Sequence, residues 1–305
     1  MLPMPTSITP GHESGGEATV YADWVESSVL FSDEWLSKAV VRDFFREENT
    51  FKIDGSDQMV DDVWNELVRR RHLLQTAFPV KIAQNRVSPV TAWQACPAYA
   101  FCLLLSYAKS NAEWEHQSCK DYQIQGELFE HIAAAALKKM LAVWNVERIG
   151  WSQDHPETMS TQIVSISERL HEKLGGENPT VSDKDGGVDI MCYRAFTDQR
   201  GNYPVFFVQC ATGRNWTEKR AVDTLNLWRN WISFRSGNLL SRGFAVPFSL
   251  CDEAFRQTQM RVDGLILDRI RLFSHDCPES KWLPEELRKD ITSWIGEKLN
   301  TLSED

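Results

Sequence analysis

Two polar residues of this chain stand where apolar stretches begin or end, and each needs a partner if its strand is buried. In residues 184–194, Lys-Asp-Gly-Gly-Val-Asp-Ile-Met-Cys-Tyr-Arg, Asp189 opens a predicted strand entered through a Gly-Gly turn. In residues 204–210, Pro-Val-Phe-Phe-Val-Gln-Cys, Gln209 ends an apolar run that reads as a mostly buried strand. The link between them, Asp-Gln-Arg-Gly-Asn at 198–202, is hairpin chemistry, because Gly and Asn tolerate positive φ. Antiparallel pairing of the two strands would bring Asp189 and Gln209 to one end of a sheet. A polar side chain at that place is costly unless it is paired or binds something. Oxygen-bearing side chains at a sheet rim are of the type a hard cation such as Mg²⁺ prefers. The hairpin is therefore the candidate site, and the remaining elements are those that must position it.

The 305 residues are enough for a large core and one or two domains. Charged residues at 25% and hydrophobic ones at 42% describe an ordinary globular protein. No apolar run reaches the roughly 18–20 residues of a membrane span, so no membrane partner is expected. The opening Met-Leu-Pro-Met-Pro-Thr-Ser lacks the basic and apolar regions of a signal peptide. Seven cysteines without close pairs point to reduced thiols and a cytoplasmic address. No CxxC or HxxxH pattern supports zinc. The net charge of −10 does not advertise nucleic-acid binding. A local basic groove with a divalent cation can still hold a phosphate backbone. The twelve tryptophans are expected mostly in packing roles.

Residues 1–19 read as a flexible arm and 20–122 as an all-helical region. A first helix is predicted over 21–46, with Ser32 as N-cap before Asp33 and Glu34, and Trp35, Leu36, Val40 and Phe44 on one face. A turn at Asp54-Gly55-Ser56 precedes a helix over 57–77, with Val60, Val63, Trp64, Leu67 and Val68 inward. Its basic end, Arg69-Arg70-Arg71-His72, suits a solvated last turn complementing the helix dipole, ahead of a phosphate contact. Residues 78–90 form a break. A buried helix over 90–109 takes Pro97 in its first turn. Residues 111–122 look like a polar connector.

Residues 123–305 carry the pattern helix, strand, helix, strand, strand, helix, strand, which suggests an α/β layer on a small mixed sheet. The helix from Gln125 is Ala-rich, with Leu128, Phe129, Ile132, Ala136 and Leu137 as its buried stripe. Glu127 and Glu130 are neighbours on its surface. A strand is predicted over 144–151 and a helix over 160–174, capped by Gly175-Gly176. After the hairpin come a helix over 216–234, a strand over 243–249, a strand or short helix over 264–273, and a terminal helix over 284–300.

Three motifs in this order carry a resemblance: Gly-x-x-Phe-Glu at 126–130, Gly-Gly-Val-Asp at 186–189 and Val-Gln-Cys at 208–210. Residues 125–249 resemble the PD-(D/E)XK nuclease superfamily, closest to the Mrr-like restriction endonucleases, whose second strand often ends in Gln-x-Lys. The resemblance implies an α/β fold: a restriction-endonuclease-like core with a small mixed β-sheet flanked by helices, following the helical N-terminal region. It implies a Mg²⁺- or Mn²⁺-dependent endonuclease hydrolysing phosphodiester bonds of DNA, in a bacterial restriction or anti-phage system. Glu130 then matches the helix acid that orients metal or water, Asp189 the central metal ligand, and Gln209 the place of the second acid. The carbonyl of Cys210 would be a further metal ligand. The family lysine falls at position 211, which here is Ala211. Lys219, in the next helix, is its expected substitute, because helical side chains lean toward the N-terminus.

Thr212-Gly213 before that helix suits a phosphate, with Arg214, Asn215 and Arg220 as backbone contacts, while Trp216 is expected to pack. Arg269 and Arg271 either extend such a groove or pair with Asp268. A homo-oligomer is expected, as is a partner protein met through the helical region. Blander readings stand beside these: Asp189 as a turn cap, Gln209 as a buried amide and Glu130 as a solvated helix residue. A catalytically inactive nuclease fold that binds DNA or assembles a complex is the alternative function, supported by Ala211. A third is a helical scaffold binding through a Trp-rich surface.

Overall fold

The computed structural model describes residues 1–7, 16–47, 53–149, 158–180, 186–219, 224–274 and 278–302. In chain order the helical region contains α1 (Glu17–Ser32), β1 (Leu36–Ser37), α2 (Lys38–Glu47), α3 (Ile53–Leu74), β2 (Val80–Ala83), β3 (Arg86–Pro89), α4 (Pro97–Ser110) and α5 (Ala112–Ser118). Then follow α6 (Tyr122–Met140), β4 (Asn145–Arg148), α7 (Met159–Leu170), β5 (Lys173–Leu174), β6 (Ile190–Tyr193), β7 (Val205–Cys210), α8 (Trp216–Lys219), α9 (Thr224–Trp231) and β8 (Ile232–Ser233). The chain closes with β9 (Leu240–Ala245), α10 (Asp252–Val262), β10 (Leu265–Leu267), α11 (Arg269–Phe273) and α12 (Glu285–Leu302).

These elements fall into two units. One comprises residues 1–122, 247–256 and 268–305, and the other 123–246 and 257–267. The sequence reading closes the helical region at residue 122 and keeps 123–305 together; in this division α11 and α12 group with the N-terminal helices. The rings of Phe101 on α4 and Trp294 on α12 meet edge to face at 4.9 Å, and those of Tyr99 and Phe273 at 5.3 Å. Apolar faces that far apart in sequence cannot be matched by reading along the chain.

The first unit is built around α4, all of whose residues are buried. Beside it lies a charge cluster with almost no contact with water. Arg70 of α3 is fully buried and pairs with Asp23 at 2.5 Å, Glu26 at 2.9 Å and Glu66 at 2.8 Å. Arg269 of α11, also fully buried, pairs with Asp23. Tyr99 donates to Glu26 and Ser106 to Asp23. Burial pushes the Asp23 carboxyl up, but the Arg269 and Arg70 guanidiniums outweigh it and hold the group below its ordinary value. For Glu26 burial wins, and the carboxyl lies above it. The basic run at 69–72 is therefore neither a solvated turn nor a phosphate contact at Arg70. Arg269 belongs to this core and not to a groove.

Several local expectations change. Ser32 ends α1, its hydroxyl donating back to the Ser28 carbonyl, and Asp33 takes a left-handed conformation (φ 55°) that stops the helix. The Asp54-Gly55-Ser56 turn lies within α3. Val68 is 51% exposed. The break at 78–90 holds a hairpin, β2 against β3, which with β1 makes a three-stranded sheet in the order β1-β3-β2. Strands of two to four residues are too short for periodicity to reveal them. The connector at 111–122 contains α5. The arm is docked where it is described: the Leu2 carbonyl accepts from Trp24 Nε1 at 2.9 Å, and Thr6 N donates to the Ser110 carbonyl at 2.8 Å.

The second unit holds a five-stranded sheet in the order β10-β9-β7-β6-β4. β4 and β7 each pair antiparallel with β6, and β7, β9 and β10 are parallel. It is a mixed sheet flanked by helices, the fold class expected. One core cluster joins Met191, Tyr193, Val205 and Phe207 of the sheet to Ile163, Ile166 and Leu170 of α7 and Trp228 and Trp231 of α9. The Gly175-Gly176 pair is not the cap of α7. That role falls to His171 (φ 51°), and Gly175 lies where an added Cβ would meet the Asn230 carbonyl oxygen at 1.9 Å. Of the helix expected over 216–234, Trp216–Lys219 and Thr224–Trp231 are helical, residues 220–223 lie outside the described residues, and Ile232–Ser233 form β8; 264–273 holds both a strand and a short helix.

Glu279 caps α4 from across the first unit. Its carboxylate accepts from Ala98 N and Tyr99 N, both at 2.8 Å. Burial nevertheless pushes its carboxyl up to about 7, against those donors and Arg288. The folded chain thus holds this proton more tightly than the unfolded chain. The contribution is full below about pH 4.5 and is lost as pH rises through about 7. The Glu279→Gln variant is expected to lose less stability between pH 5 and 8 than the parent, by on the order of 2–3 kcal/mol. Urea midpoints at the two pH values test this, and an unchanged difference would contradict it.

Candidate functional site

Pairing of β6 with β7 aligns Ile190 with Val208, and the Asp189 amide donates to the Val208 carbonyl at 3.0 Å. Asp189 and Gln209 therefore stand at one end of the sheet, as expected. Both are 8% exposed. Entry to β6 is the predicted glycine turn, with φ of +62° at Gly186 and +70° at Gly187. An added Cβ at Gly187 would lie 2.9 Å from the Thr224 methyl and 3.4 Å from Gln209 Nε2. Gly187 therefore lets the Gln209 amide approach the chain ahead of Asp189.

Asp189, Gln209 and Glu130 each have a partner at this rim. Asp189 Oδ2 accepts from the Cys210 amide at 2.6 Å, which fixes the carboxylate against the end of β7. Gln209 Oε1 accepts from Arg242 Nη2 at 3.3 Å, and the same nitrogen reaches the Lys219 carbonyl at 3.3 Å. Arg242, 5% exposed, stands on β9 opposite Phe207 of β7. The amide oxygen expected to face a cation is turned to a guanidinium.

Glu130 comes to the same rim from α6. Its carboxylate pairs with Arg148 Nη2 at 3.0 Å, and Arg148 Nη1 also meets the ring of His131. Arg148 ends β4 opposite Ile190, and the next amide, Ile149 N, donates to the Asp189 carbonyl at 2.9 Å. Both carboxylates are felt at one atom. The Cys210 thiol is pushed well above its usual range by burial first, then by Asp189 and by Glu130, with Arg148 acting against them. Asp189 is thus bonded to Cys210, and Glu130 is tied to the neighbouring strand end through Arg148. Glu127, on the same helix, makes no described contact with them.

Lys219 is the last described residue of α8, and its side chain is exposed. Its main chain is tied to the site by Arg242. Arg214 and Asn215 are exposed before α8, and Arg220 lies outside the described residues. Trp216 is fully buried, its ring 6.4 Å from that of Phe244, in the packing role expected. Ala211 is 1% exposed, and its amide donates to the Ala245 carbonyl.

Mg²⁺ usually takes one or two carboxylates and keeps waters for its other positions. Asp189, Glu130 and the Cys210 carbonyl offer oxygens of the kind such a set uses. Among the described residues no group of three His, Cys, Asp or Glu side chains could hold a metal, so a closed zinc-type site is not formed there.

Sequence reasoning missed Arg148, His131 and Arg242. Arg242 carried a readable signal, a charged residue inside the strand Leu-Ser-Arg-Gly-Phe-Ala, the same argument that singled out Gln209. Arg148 carried little, because its pairing depends on how a helix and a strand meet.

The Gly187→Ala variant is expected to destabilise the chain by about 1–2 kcal/mol, through left-handed strain and the Thr224 contact. Gly126→Ala on α6, where an added Cβ meets nothing within 4 Å, should stabilise by roughly 0.5–1 kcal/mol. Chemical denaturation of both checks the pair, and equal effects would contradict it. Compared with known proteins, the chain matches no family model, no curated protein and no solved structure.

Proposed function

We propose that residues 123–246 and 257–267 form the catalytic unit of a metal-dependent endonuclease acting on DNA. The observation that supports this reading is that Asp189, at the entry to β6, is bonded to Cys210 at the end of β7, while Glu130 of α6 pairs with Arg148, which stands opposite Ile190. The order of the three sequence motifs agrees with a helix, a strand and the strand beside it. No described helix is long and apolar enough to cross a membrane. A role in bacterial defence is proposed by analogy with the resembling family, since a fold does not fix a function.

In this reading Asp189, held by the Cys210 amide, and Glu130 would hold Mg²⁺ or Mn²⁺ together with the Cys210 carbonyl. Bound there, the cation supplies Lewis acidity and lowers the pKa of a water. Lys219 would orient that water or offset charge on the phosphate. Arg214 and Asn215, exposed ahead of α8, and Arg220 would touch the DNA backbone.

One set of observations favours a second reading, a nuclease fold without catalysis that binds DNA or assembles a complex. Ala211 takes the place of the strand lysine, Gln209 is engaged by Arg242, and Glu130 is paired with Arg148.

Nicking of supercoiled plasmid with Mg²⁺ or Mn²⁺ tests the first reading. Asp189→Ala is expected to remove cleavage, and Lys219→Ala to slow it about 100-fold. Cleavage at the parental rate in Asp189→Ala places the chemistry elsewhere. DNA binding with no cleavage by the parent favours the second reading.

A further inference from the structure

The cation paired with Glu130 among the described residues is Arg148, not Lys219. Arg148 is fixed from two directions. Its main chain ends β4, opposite Ile190 and one residue before the amide that bonds Asp189. Its guanidinium spans from Glu130 to His131, consecutive residues of α6. The pair is largely removed from water, with 10% of the Arg148 side chain and 20% of the Glu130 side chain exposed. The Arg148 Nε atom is buried without an acceptor among the described residues. A buried guanidinium with one donor unsatisfied is costly to keep, so the arrangement is one that an added ligand can rearrange. Two carboxylates at the mouth of a strand pair repel each other unless a positive charge stands between them. Arg148 supplies such a charge beside Glu130.

We propose that Arg148 is the resident counter-ion of the site: it neutralises Glu130 in the metal-free chain, a divalent cation displaces it from that carboxylate, and its guanidinium then faces the phosphate. The inference rests on the metal site proposed above. Arg148 is here a positioning residue, acting through Glu130 on the metal. Once displaced, its planar fork of donors matches two phosphate oxygens. That would place a cation at the rim although the family lysine position holds Ala211.

Competition sets the sign of the test. A residue that merely shapes the site would weaken metal binding when changed, whereas a competing counter-ion strengthens it when removed. Calorimetric titration of the full chain with Mn²⁺ is the measurement. Arg148→Gln is expected to bind Mn²⁺ about tenfold more tightly than the parent. Arg148→Lys, which keeps the charge, should stay within about threefold of the parent. In a Glu130→Gln background the Arg148→Gln change should have no effect, because the competition is for that carboxylate. In the parent protein, the Arg148 Nε–H resonance, assigned with Arg148→Lys, should shift as Mg²⁺ is added. This second readout does not depend on how well the Gln variant folds. Equal or weaker Mn²⁺ binding by a folded Arg148→Gln, or an unmoved Arg148 resonance while the parent binds metal, overturns the role of Arg148 and leaves the metal site standing. Absence of Mn²⁺ binding by the parent and by Arg148→Gln overturns both.

Discussion

The pairing register of β6 with β7 is the constraint on which the candidate site depends. Ile190 lies opposite Val208, so Asp189 and Gln209 leave the sheet together. A slip of one residue would send Asp189 to one face while Met191, Tyr193 and Phe207 left the core they share with α7 and α9. Burial of that apolar face therefore holds the polar rim in place, although no rim residue contributes to it. The Asp189 carboxylate then takes the Cys210 amide, and the strand end is fixed by a side chain as well as by the ladder.

Around this rim charge is arranged in pairs that differ in how firmly they are committed. Arg242 lies within the sheet and holds Gln209 and the Lys219 carbonyl at once, so it links β9, β7 and α8. Glu130 and Arg148 stand at the outer side, joined across a helix and a strand. The first arrangement looks structural, since a buried guanidinium left without acceptors is expensive. The second lies nearer to water and involves the acid that a cation would need.

The first unit uses the same physics for another end. Asp23, Glu26, Glu66, Arg70 and Arg269 form a buried network spread over α1, α3 and α11. Each member makes sense only with the others present, because any one of them buried alone would be strongly disfavoured. Such a network ties helices distant in sequence into one arrangement. The chain returns its last helices to the N-terminal unit in the same way, through Glu279 on the first turn of α4 and Trp294 against Phe101.

Composition, the apolar runs and the glycine turn were enough to predict the mixed sheet, the buried α4, the Ala-rich α6 and the meeting of Asp189 with Gln209. These follow from local rules: residue alternation, helical spacing, and the positive φ that Gly186 and Gly187 adopt. The sequence also placed Trp216 in packing, because a large apolar ring is most easily satisfied inside. What it could not decide was the partner of each charge. Arg70 looks like any basic helix end until Asp23 and Glu26 are brought beside it. Arg148 looks like a strand-end charge until α6 sets Glu130 against it. Burial and ion pairing depend on contacts between residues tens to hundreds of positions apart, so only the folded chain determines which charges are structural and which are left for chemistry.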